Sequence, residues 1–190
     1  MTDRELADVV LEGLHEGIVP WRYPINVMPE FAPTFGKFFR GEPVAEVDYA
    51  QLDSIIKATG ARITHHWRCV RPRHDRRRDK IMMPLREYFL NDANYHATRI
   101  HEVLHHLEQP WRLGWIGSDH QSELVSEAGT GFLESYLRLP HDTCNKNILK
   151  WLPKWAEGIK ADPRYLFDAV AQAERTVNHL IGLRRRKEAA

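Results

Sequence analysis

The stretch that decides the fold is YHATRIHEVLHHLEQPW, Tyr95 to Trp111. Six consecutive residues of it, His101-Glu102-Val103-Leu104-His105-His106, hold three histidines and a glutamate. Asn91 or Asp92 offers an N-cap ahead of it and Pro110 stands just past its end, so the pattern predicts a helix running to about Glu108. Residues four apart on a helix share a face. His101 and His105 can therefore present two imidazoles to one ion, a spacing suited to zinc, with Glu102 beside them. Zinc lowers the pKa of a water that it activates, and a carboxylate can take the proton as that water attacks a carbonyl.

A catalytic zinc needs a third protein ligand and an open fourth position. Glu123, in HQSELVSEAG, lies eighteen residues after His105 on a second predicted helix, and Glu127 follows one turn later on the same face. The nearer carboxylate suits the metal. The further one suits a hydrogen bond from a ligand imidazole, which fixes its tautomer. The plain alternative is a solvated helix in a chain with eleven histidines. Helix, motif and downstream carboxylate pair together favour the metal site. His106 points about 100° away from His105 and reads as a packing or surface histidine. His65, His66, His96 and His120 read first as surface or core residues and second as ligands or transition-state stabilisers.

The rest of the chain sets limits. Its 190 residues fit one domain or one domain with an appendage. A formal net charge of +1 gives no global field for nucleic acid or membrane. Cys69 and Cys144 stand far apart with no CxxC spacing, which fits a reducing, cytoplasmic setting. The first ten residues lack the signature of a signal peptide, and no run approaches the ~20 apolar residues of a membrane span, so no membrane partner is expected.

Thr2 and Glu5 form a capping box ahead of an amphipathic helix over 3–16, and a proline-rich arm follows over 20–43. The expected division is an N-terminal helix and arm over 1–43 and one domain over 44–190. Within the latter, a helix is expected over Asp48–Thr59 with Gly60 as its stop. ARITHHWRCV, Ala61–Val70, reads as a strand with Ile63, His65, Trp67 and Cys69 on one face, and DKIMMP, Asp79–Pro84, reads as a second. The pair is expected to be antiparallel, with DKIMMP as an exposed edge able to hold a peptide by strand addition. Further helices are expected over His120–Leu137, Asn145–Lys160 and Pro163–Arg185. The class is α+β: a small antiparallel sheet, the HExxH helix and a helical C-terminal part.

Several stretches together resemble the ArdC-type antirestriction proteins of plasmids and phages. They are EGIVPWRYP (Glu16–Pro24), TGARITH (Thr59–His65), DKIMMPLREYF, YHATRIHEVLHHL, SELVSEAGTGFL (Ser122–Leu133) and the segment from Ile148 to Glu174. That family pairs an N-terminal single-stranded-DNA-binding region with a zincin-like metallopeptidase domain. The resemblance implies His101, His105 and Glu123 as ligands of one Zn2+ per chain and Glu102 as the catalytic acid–base residue. It covers most of 44–180. The chain departs from the pattern between the VPW and TGA segments, where only Arg22 to Ala58 intervene, so the DNA-binding region reads as truncated or replaced. The loop from Leu107 to Gln121 is short, and His106 stands where the family tends to have an aromatic residue.

Three functions are weighed. The first is a cytoplasmic zinc metallopeptidase acting on a peptide or protein substrate, with Glu102 as general base and Tyr95, His120 and Tyr136 as candidate transition-state stabilisers. The second is a DNA-associated antirestriction or DNA-protecting protein of a mobile element, in which zinc is mainly structural. Here RPRHDRRRDK supplies Arg73, Arg76, Arg77 and Arg78 as candidate contacts to single-stranded DNA, with Trp67 to stack on a base. A solvated hairpin tip is the preferred reading of that basic run. The third is a regulatory protease of the ImmA/IrrE type.

Overall fold

The computed structural model describes residues 48–114, 117–140 and 146–188. The expected helix over 3–16, the arm over 20–43 and the boundary at residue 44 lie outside these. Among the described residues the order is α1 (Ala50–Thr59), β1 (Ile63–His65), β2 (Arg73–Asp75), β3 (Lys80–Met83), a 3-10 turn (Arg86–Tyr88), α2 (Asp92–Leu107), α3 (Asp119–Leu137), α4 (Lys146–Ala161) and α5 (Arg164–Glu188). The class is α+β.

The helix boundaries follow local chemistry. Asn91 caps α2 by accepting a hydrogen bond from the Asn94 amide at 2.9 Å, which satisfies one orphan donor of the first turn. Gly60 ends α1 in the left-handed region, φ 73°, where a Cβ would be strained. Pro153 is accommodated inside α4. On α2 the buried Ile100, Val103, Leu104 and Leu107 recur at helical spacing and meet Leu52, Ile55 and Ile56 of α1, Ile81 and Met83 of β3, and Leu180 of α5. Each such burial stabilises by about 1.5–3 kcal/mol. A second cluster joins Leu124 and Val125 of α3 to Trp155 of α4 and to Tyr165, Ala169 and Ala173. The Trp155 indole also donates to the His120 carbonyl at 2.6 Å.

The sheet corrects two expectations. Its order is β1-β3-β2, with β1 parallel to β3 and β2 antiparallel to it. The segment read as a mere connection holds its own strand, β2, which forms a hairpin with β3. The chain from His66 onwards therefore passes across and returns, so β3 runs alongside β1 rather than against it. A parallel pair needs such a crossover. The segment DKIMMP is thus the central strand, closed on both sides, and cannot take a peptide by strand addition. The first strand is also shorter than read: it stops at His65, and Trp67 lies in the turn beyond it.

α2 packs between this sheet and α3. The approach to α3 is close: a Cβ at Gly129 would stand 2.8 Å from Leu104 Cδ1. Gly129 thus leaves room for the Leu104 side chain between the helices, and the packing of α3 on α2 carries Glu123 and Glu127 to the histidine face of α2.

Candidate metal centre

α2 and α3 together build a polar site. His101 and His105 stand one turn apart, with their Nε2 atoms 3.0 Å from each other. Glu123 of α3 reaches both: Oε2 lies 3.5 Å from His101 Nε2 and Oε1 lies 3.7 Å from His105 Nε2. These three residues offer one donor atom each within 4.8 Å of one another. Donors bound at ~2.0–2.1 Å around a tetrahedral ion lie roughly 3.3 Å apart, so the cluster is the right size for one ion. Two imidazole nitrogens and a carboxylate oxygen suit a divalent transition metal and leave a fourth position open.

The far side of each ring is held by a carboxylate. Glu127 Oε1 lies 3.3 Å from His101 Nδ1. Glu108 Oε2 lies 3.1 Å from His105 Nδ1. Glu108 is buried, accepts from Ser122 Oγ at 2.7 Å, and lies 3.5 Å from Ser126 Oγ. Such pairing favours a ring proton on Nδ1, which would leave the Nε2 lone pair of each neutral ring free for an ion. Burial opposes charge on His101, but the Glu123 and Glu127 carboxylates outweigh it and raise the pKa well above the usual histidine value. Glu102 follows His101 and is 5% exposed.

The remaining expected residues fall elsewhere. The Tyr95 hydroxyl is 3.0 Å from His65 Nε2. Tyr136 is exposed and lines a shallow pocket with Ile55, Ile181, Arg184 and Arg185. It lies near the end of α3 remote from Glu123, ~20 Å along the axis at 1.5 Å per residue. His120 is the second residue of α3, its Nε2 3.1 Å from Ser118 Oγ. His96 stacks on Tyr49 at 3.7 Å, and burial, aided by Arg99, lowers its pKa to about 4. His66 is exposed. Arg73, Arg76, Arg77 and Arg78 are exposed on the hairpin, where Arg78 pairs with Asp75 at 3.2 Å. Trp67 is 51% exposed with the Arg68 guanidinium 4.4 Å over its ring.

Sequence reasoning missed two features. Glu108 stands three residues after His105, a helical neighbour, but its link to Ser122 and Ser126 depends on how α3 packs. His106 is a buried packing residue, and it meets His74 and Asp79.

Residues 50–172 match the family of zincin-like metallopeptidases. In solved structures, the chain is similar to the antirestriction protein ArdC from plasmid R388. For the Mn(II)-bound form the identity is 27% and the TM-score 0.64, over 73% of this chain and 53% of that one. For the metal-free form they are 27% and 0.63, over 74% and 52%. The chain is also 27% identical over 149 residues to the DNA primase TraC of Escherichia coli, which covers 72% of this chain and 13% of the primase. It thus spans about half of ArdC and a small part of TraC. No helix among the described residues is long and apolar enough to cross a membrane. A site built for a divalent metal on this fold agrees with the match over 50–172, and the chain belongs to the zincin-like metallopeptidase family.

Proposed function

We propose that this chain is a cytoplasmic, zinc-dependent hydrolase of peptide bonds, with His101, His105 and Glu123 as the ligands of one zinc ion per chain. The observation that carries the reading is the convergence of three donor atoms from two helices beside a buried glutamate. When bound, the ion supplies Lewis acidity and makes a nearby water acidic enough to react at neutral pH. Glu102 accepts the proton of the attacking water and passes it to the leaving amine. Glu127 and Glu108 hold the His101 and His105 rings in the tautomer that binds metal through Nε2. Of the three candidate stabilisers of the developing oxyanion, His120 stands on α3 one turn before Glu123, with its Nε2 3.1 Å from Ser118 Oγ. The Tyr95 hydroxyl is engaged with His65, and Tyr136 lies toward the far end of α3.

The test compares wild type with Glu102→Gln. Equal zinc by elemental analysis is expected, with cleavage of any casein or library peptide that the wild type cuts reduced by at least ~100-fold. A variant that cleaves at the wild-type rate removes Glu102 as the base.

A second reading has its own observation: an exposed hairpin rich in arginine and an exposed tryptophan, in a chain whose relatives are an antirestriction protein and a DNA primase. In that reading the ion is mainly structural and the hairpin meets single-stranded DNA. Binding of an oligonucleotide would then fall steeply with salt, and Arg76→Ala, Arg77→Ala and Arg78→Ala together would reduce the slope by about two to three. No binding at low salt removes this reading.

A further inference from the structure

About 100° around α2 from His105 lies a second set of metal-ligating side chains. His106 is 1% exposed, and neither ring nitrogen has a hydrogen-bond partner among the described residues. The His74 side chain, from β2, is 2% exposed and meets the His106 ring edge-on with centroids 5.3 Å apart. Asp79, in the turn between β2 and β3, sits in the left-handed region at φ 47°, which aspartate tolerates in turns. This backbone brings its Oδ1 to 3.2 Å from His74 Nε2 and 3.3 Å from His106 Nδ1. The three donors lie within 4.8 Å of one another.

We propose that His74, Asp79 and His106 bind a second divalent transition-metal ion, such as zinc or cobalt, which fastens the β2–β3 hairpin to α2. This site is separate from the first and does not depend on the hydrolase reading. Two imidazoles and one carboxylate oxygen select zinc-like ions over calcium or magnesium, which take oxygen ligands. A simple hydrogen-bonded triad explains the cluster less well. In such a triad each ring donates to the aspartate; His74 Nε2 does so at 3.2 Å, whereas the 3.3 Å contact from His106 is not aligned as a hydrogen bond. A neutral imidazole carries one donor and one acceptor, and leaving both buried without partners is costly. Coordination would replace the His74 Nε2 hydrogen bond to Oδ1 and engage the unpartnered His106 Nδ1, each nitrogen meeting the ion in its deprotonated form. Arg112 donates to the other carboxylate oxygen of Asp79 at 2.6 Å. It orients Asp79 as a monodentate ligand in the manner of an outer-shell partner. It also cancels the aspartate charge, so this ion binds more weakly than the one at the carboxylate-rich face. The Asp79 side chain is 35% exposed and gives the ion a route in.

The test is a cobalt titration of the metal-free full chain, followed by visible absorption and by elemental analysis after dialysis. Wild type is expected to bind two ions per chain in sequence. Asp79→Asn and His74→Phe should each bind one, while His101→Ala/Glu123→Ala retains one, of the weaker class. A wild-type stoichiometry of one ion overturns the proposal however the variants fold. Two ions in a folded Asp79→Asn chain, with the second bound as tightly as in wild type, overturn the assignment of its ligands.

Discussion

His105 and His106 are neighbours on one helix, yet their surroundings make them chemically different. The His101–His105 face meets three carboxylates: Glu123, Glu127 and Glu108. The His106 face meets a second imidazole, one carboxylate and the Arg112 guanidinium. The consequence is read in the protonation of the rings. Carboxylates lift the His101 pKa well above normal. Burial, aided by Arg112, lowers that of His106 to about 4. The charge that a histidine on this helix takes up in the metal-free chain therefore depends on what α3 and the hairpin bring to it. Residue type alone does not decide.

The comparison is broken most forcefully from the carboxylate side. Glu123→Ala removes the only donor that α3 places between His101 and His105. Metal affinity at that face should fall by more than the ~10–100-fold typical of an outer-shell loss, measured by competition with a chromophoric chelator. The hairpin contacts of His106 with His74 and Asp79 should survive. Unchanged affinity would mean that the two histidines hold the ion without α3.

Glu108→Gln is the finer cut. It keeps the size of the side chain and its contacts with Ser122 and Ser126, but replaces the charge behind His105 with a neutral amide. Affinity is expected to fall by about 10–100-fold, with the unfolding temperature of the metal-free chain little changed. If affinity is unaltered, the His105 ring is oriented by packing alone and Glu108 serves only α3 docking.

How much of this was legible in sequence follows from the range of each interaction. The HExxH pair and the Glu123–Glu127 pair could be read because helical periodicity alone sets which residues share a face. The ends of α2 could be read because Asn91 and Pro110 act locally. The sheet order could not. β2 is the tripeptide Arg73-His74-Asp75, polar throughout and without alternation toward a core, so nothing in it announces a strand. Its pairing with β3 is what makes β1 and β3 parallel. The His74–Asp79–His106 cluster escaped for the same reason: it exists only where a hairpin turn meets a helix far along the chain. Glu108 lay in view, but its role depends on two serines of α3. Interactions set by one helix were visible, and those set by packing between elements were not.

The smallest expected effect separates the two faces by pH in the metal-free chain. His101 has a raised pKa in the folded state. Its contribution to stability is fully present below the unfolded value near 6.5 and is lost as pH rises through the folded pKa. His106 and His96 have pKa values lowered to about 4. Between about pH 6.5 and 4 the unfolded chain takes up their protons more readily, so their contribution is present above 6.5 and is lost as pH falls. The windows do not overlap, and each group changes the slope by at most about 1.4 kcal/mol per pH unit. Unfolding temperature in the presence of a chelator should therefore decline on both sides of roughly pH 6.5. His101→Gln should flatten the alkaline limb and leave the acid limb alone. His96→Phe, which keeps a ring against Tyr49, should lessen the acid limb and leave the alkaline one. If His101→Gln instead altered the acid limb, Glu123 and Glu127 would not be setting the charge of that ring, and the contrast between the two faces of α2 would have to be sought in packing rather than in electrostatics.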